Sequence, residues 1–137
     1  MWWIYALLSA LFAALTAVFA KKGVSHINSD LATAIRTVVI LFIAWGIVFF
    51  RGGISSINQL SNKNWLFLLL SGIATGLSWI FYFKALQIGK VSQVAPVDKL
   101  SVALAIILSV IFLGETLTLK MAIGAVLIIA GTVVLIF

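Results

Sequence analysis

No cysteine occurs among the 137 residues. That excludes a disulfide framework and a thiolate metal site, and it leaves the redox compartment unread. The single histidine, His26, lies in a short polar stretch without a second ligand nearby, so a solvated side chain is the simple reading. Acidic residues are just three, Asp30, Asp98 and Glu115, and they are scattered along the chain. A nucleophile–base pair is missing too, so no enzyme activity, metal or cofactor is expected. Charge of either sign is scarce: 9% of residues, where soluble domains carry about 25%.

What fills the chain is apolar, at 64% of residues. Nine basic residues outweigh the three acidic ones and set a formal charge of +6. They fall at the ends of apolar runs and in short loops, not clustered on a solvated face. Contact with lipid headgroups explains them, and no nucleic-acid partner is expected. Five runs, about 2–20, 31–50, 65–88, 91–113 and 118–137, each approach the roughly 20 residues that cross a bilayer core. The expected fold is all-α: one five-helix transmembrane domain over residues 1–137, in the lipid bilayer as a multi-pass protein. The first run lacks a basic flank and exceeds the length of a signal-peptide core, so it reads as a retained span. Trp2, Trp3 and Tyr5 place its start at the headgroup level.

Residues at the connections set the helix limits. Asn28, Ser29 and Asp30 offer cap oxygens for the second span, Asn62 or Asn64 for the third, and Thr116 or Thr118 for the fifth. Between Arg51 and Asn64, Ile54, Ile57 and Leu60 recur at helical spacing, which predicts a short helix in the interface. Gly89-Lys90 is so short a turn that spans three and four must run antiparallel.

Several polar residues sit where hydrocarbon would surround them. Arg36 lies roughly 7–8 Å inside the second span. It can snorkel to the interface or line a cavity. In span three, Gly72 and Gly76 form a small-residue step. Trp79, Phe81, Tyr82 and Phe83 follow, either as an interface belt or as a cavity wall, and then Lys84. Span four carries the only proline, Pro96, with Asp98 and Lys99 directly after it. Pro96 frees backbone carbonyls that need partners in protein or cavity water. Neighbours on a helix stand about 100° apart, so Asp98 and Lys99 are not expected to neutralise each other simply. Lys84 is the expected partner of Asp98, in a structural ion pair or a functional one. Gly124 and Gly131, one heptad apart on span five, leave a groove for another helix.

Four pieces in order resemble the EamA-like branch of the drug/metabolite transporter superfamily. They are Lys84-Ala85-Leu86-Gln87-Ile88-Gly89; Val94-Ala95-Pro96-Val97 with Lys99 and Ser101; Leu113-Gly114-Glu115-Thr116-Leu117-Thr118; and Gly124 to Gly131. The resemblance implies export or exchange of small metabolites, with two five-span repeats of opposite orientation in longer members. This chain looks like one such repeat. Its last span also resembles the self-associating helix of the small multidrug resistance proteins. Those carry an essential glutamate in their first span, where this chain has no carboxylate; Asp98 is the only one inside a span.

A single five-span chain is too small to enclose a path, so the expected unit is a homodimer, antiparallel if both orientations insert. The expected substrate-binding residues are Arg36, Trp79, Tyr82, Lys84, Pro96, Asp98 and Lys99, with Gly124 and Gly131 in the dimer interface. Arg36, Lys84 and Lys99 fall in one half of the membrane and favour a carboxylate or phosphate on the small-molecule substrate. The alternative is a scaffold subunit that moves nothing. The setting expected is a prokaryotic plasma membrane.

Overall fold

A computed structural model describes residues 1–137. The order is α1 (Trp2–Gly23), α2 (Ser29–Phe50), a 3-10 helix (Gly53–Gln59), α3 (Asn62–Ile88), α4 (Val91–Asp98), α5 (Leu100–Leu113) and α6 (Leu119–Ile136). Five segments are long and apolar enough to cross a membrane, the fourth of them built from α4 and α5. The protein is an all-α polytopic membrane protein, with spans close to those read from the sequence.

The ends of the helices follow from local chemistry. Asn28 caps α2, its side-chain oxygen accepting from the Asp30 and Leu31 N–H groups at 2.7 and 3.3 Å. Gly52 ends α2 at φ 70° and Gly114 ends α5 at φ 67°, a left-handed conformation that strains any residue with a Cβ. Thr118 caps α6 by accepting from Met121 N–H at 3.3 Å. At α3 the cap differs from expectation: Ser61 accepts from Asn64 N–H at 3.2 Å, and Asn62 is already helical. The segment after Gly52 is a 3-10 helix against α2. Three residues per turn bring Ile54 and Ile57 onto one side, and Leu60 follows in extended backbone just past the helix end.

The chain forms two compact units, Phe19–Gln87 and Met1–Val18 with Ile88–Phe137. In the second, α6 packs on α4 and α5. Its covered face, Met121, Ala125, Ile128, Thr132 and Ile136, recurs at intervals of three and four, as one stripe of a helix requires. Thr132 is buried there, as is Ala103 of α5. The Thr132 hydroxyl bonds to Ile128 O at 2.8 Å and to Pro96 O at 3.2 Å. Lys99 N–H reaches Pro96 O at 3.0 Å and Ala95 O at 3.3 Å. The Pro96 carbonyl at the α4–α5 junction is therefore satisfied from within the unit, as hydrocarbon demands.

Gly124 and Gly131 lie about a quarter turn around α6 from that face. A Cβ at either would meet nothing within 4 Å. Within one chain, then, no side chain packs against either glycine. Burial is slight everywhere: ten residues are buried, Ala17, Ala20, Val24, Ser29, Ala32, Thr33, Phe83, Leu86, Ala103 and Thr132. Almost all of the apolar surface is left for lipid or another chain.

The Thr132 bond yields a direct test. Thr132→Val keeps the shape and removes the hydroxyl. The expected loss is about 0.6 kcal/mol, up to ~1.7, in denaturant unfolding from micelles, with Thr132→Ser close to wild type. Equal stability of all three proteins would show that the α4–α5 junction does not depend on α6.

Candidate functional site on the inner faces of the second and third spans

The unit Phe19–Gln87 gathers its buried side chains at one end. From α2 come Ser29, Ala32 and Thr33, all buried, and Arg36 one turn further on. The intervals of three, four and seven put them on one face. The two threonines of this stretch bond to their own helix, Thr33 to Ser29 O at 2.9 Å and Thr37 to Thr33 O at 2.8 Å. From α3 come Phe83 and Leu86, at 1% and 0% exposure, with Trp79 half-buried one turn before Phe83. Tyr82 is half-buried beside them, its ring edge-on to Phe83 with centroids 5.6 Å apart. The end of α1 contributes Ala20, and the turn after it Val24, both buried.

Arg36 decides between the two readings of its sequence position. Its guanidinium carbon stands 4.1 Å from the Phe83 ring centroid, and Nη1 is buried with no hydrogen-bond partner in the protein. The side chain runs into the protein and does not snorkel outward. Counted from Ser29, it lies about 10 Å inside the helix. A desolvated cation–π contact contributes about 2 kcal/mol. It supplies no acceptor to the N–H groups. Asp30, the one acidic residue in this unit, is exposed and six positions earlier, on another face of α2.

Two further side chains hold the frame. Lys21 Nζ donates to Leu86 O at 2.6 Å and Gln87 O at 3.4 Å. In return Gln87 Nε2 donates to Ile27 O at 2.8 Å and Val24 O at 3.2 Å. Each segment thus caps carbonyls at the end of the other, and the lysine charge sits at the negative end of the α3 dipole.

The expected site residues therefore separate. Arg36 and Tyr82 join Phe83, with Trp79 on the same stripe. Lys84, one position past Phe83, is exposed and turns away from that stripe. In the other unit, Lys99 Nζ pairs with Asp98 Oδ2 at 3.3 Å. This corrects the expectation that adjacent positions would keep the two apart and leave Asp98 to Lys84. Lys99 keeps near-helical backbone at φ −72° and ψ −9°, and its long side chain still reaches the neighbouring carboxylate. The pair remains open, with Asp98 34% and Lys99 57% exposed. Pro96 acts here through its carbonyl, held by Thr132. A separate groove of about 250 Å³ lies between α2 and the 3-10 helix, lined by Trp45, Val48, Ile57 and Leu60 among others. It has no titratable side chain, and Ser56 and the Trp45 indole are its polar groups.

Lys21 and Gln87 are the working residues that sequence reasoning passed over, while Phe83 stood in the aromatic run read as belt or cavity wall. Gln87 stood in the quoted Lys84–Gly89 run, and Lys21 just past the end of the first span read from the sequence, without any sign that they meet. Lys21→Met should cost about 1.5–3 kcal/mol as a lost charged hydrogen bond, and Gln87→Leu about half as much. Amide exchange at the ends of α1 and α3 reads both. Exchange that stays slow in the two variants would mean that apolar packing alone holds this end.

Comparison with known proteins agrees with this architecture. The model of the EamA-like transporter family matches residues 1–137. An uncharacterized transporter in the cobO 3' region of Sinorhizobium sp is 53% identical over 134 residues, which cover 98% of this chain and 95% of that protein. An uncharacterized protein of Methanocaldococcus jannaschii is 39% identical over 67 residues, 49% of each chain. The uncharacterized transporter YxxF of Bacillus subtilis is 29% identical over 134 residues, 93% of this chain but 40% of that protein. No solved structure matches. Five apolar spans, a family model matching from end to end and relatives named as transporters lead to one conclusion: the chain belongs to the EamA-like transporter family and is a membrane transporter.

Proposed function

We propose that two copies of the chain form one transporter that exports or exchanges small metabolites by alternating access, in the plasma membrane of a prokaryote. The observation that carries this reading is the match to the Bacillus transporter over only 40% of its length. That protein has room for a second unit of the same kind, and here a second copy takes its place. The scarcity of buried residues and the open space beside Gly124 and Gly131 support α6 as the contact between copies. Small residues let membrane helices approach closely.

The charge distribution supports opposed copies. Arg51, Lys63 and Lys120 belong to loops and span ends on the side of the N-terminus, and Lys21, Lys22, Lys84 and Lys90 to the other. Three against four gives the positive-inside rule little to act on. Counting Arg36 and Lys99 makes it three against six, which would place the N-terminus outside. Arg36 is turned into the protein and does not serve as a topology signal, which favours the balanced count. Two opposed copies rebuild the inverted-repeat plan of transporters.

Asp98 is the carboxylate inside a span, and its pair with Lys99 is open enough to exchange protons or partners. Protein in liposomes should lose solute-driven proton flux with Asp98→Asn while keeping its helical spectrum, whereas Glu115→Gln should change stability alone. Full flux by Asp98→Asn at every pH would make the Asp98–Lys99 pair structural. Gly131→Leu should shift the protein from dimer to monomer in detergent. Undiminished cross-linking of that variant would remove α6 from the contact.

A further inference from the structure

We infer that Arg36, seated on the Phe83 ring, is the binding point for a small solute that carries a single carboxylate. The inference rests on the transporter reading and names the substrate class for it. Arg36 Nη1 is buried and has no acceptor from the protein, while the carbon behind it lies 4.1 Å from the ring centroid. The ring fixes one face of the guanidinium, so a partner must come to its edge. A carboxylate matches that edge, with two oxygens accepting from parallel N–H groups.

The charges in the unit Phe19–Gln87 select the sign and the size of that partner. Lys21, the other basic side chain packed into this end, already donates to Leu86 O and Gln87 O. Asp30 is exposed and off the face, so no carboxylate of the unit answers Arg36. One positive charge in low dielectric is neutralised by one negative charge. A doubly charged phosphate would leave a residual buried charge, and an amine would add to the existing one; both are costly at this depth. In the other unit the Asp98–Lys99 pair balances itself and offers an anion no net attraction.

Calorimetric titration of the intact protein in nanodiscs tests this with hexanoate and benzoate as probes. Their amides, hexylamine and inorganic phosphate are the controls. Wild type should bind the two carboxylates saturably and the controls not at all. Arg36→Gln should weaken binding at least ~10-fold, by loss of a charged, forked contact. Phe83→Leu should weaken it about threefold through the lost cation–π contact. Should Arg36→Gln fail to fold, Arg36→Lys keeps the charge without the planar fork and should bind at an intermediate level. Unchanged carboxylate binding in Arg36→Gln or Arg36→Lys, or phosphate bound as well as benzoate, overturns the inference. So does binding seen only in Asp98→Asn, which would identify Asp98 as the counter-ion of Arg36. Carboxylate binding without flux in liposomes supports this site and sinks the transport reading. Flux of an uncharged or cationic solute without carboxylate binding does the reverse.

Discussion

A charge held inside hydrocarbon has to be answered, and the protein answers only part of Arg36. The Phe83 face steadies the guanidinium at 4.1 Å, yet Nη1 stays without an acceptor. Phe83 can serve this way because it is itself packed in on all sides, at 1% exposure. That packing comes from Leu86 one turn on and from the crossed caps of Lys21 and Gln87, which tie the ends of α1 and α3 together. Take away the caps and the ring loses its frame. Lose the ring and the arginine is free to reach for the headgroups.

The same constraint governs the backbone. Where helices end or break, freed groups find partners close at hand. Asn28, Ser61 and Thr118 take up N–H groups at three helix starts. Thr132 and the Lys99 amide take up the Pro96 carbonyl. A membrane protein with so few buried residues is held less by a large core than by a handful of such bonds, together with the lipid around it.

The spans were legible because their signal is coarse: twenty apolar residues read as a crossing whatever surrounds them. The helix limits at Asn28 and Thr118 were legible too, since capping depends on neighbours a few positions away. What escaped was contact across distance. Nothing in the spacing announced that Lys21 would reach residues more than sixty positions on, or that Gln87 would reply. Arg36 stood open between lipid and protein until Phe83 was seen beneath it. Asp98 and Lys99 were misread because the roughly 100° between helical neighbours does not stop a long lysine side chain from reaching the carboxylate beside it. Lys84 was drawn into the site by its charge, although its position turns it away from the Phe83 stripe.

The largest unmet demand is at the surface. The apolar flanks of all five spans are left for lipid or a neighbouring chain, and a relative more than twice as long has room for a second unit of this kind. Opposed pairing of two copies is the central claim. A C-terminal reporter read on both sides of the membrane, with single lysines added in each loop, tests it most directly. The account predicts signal on both sides, shifted toward one side by each added lysine. Signal confined to one side and unmoved by any of them would contradict it.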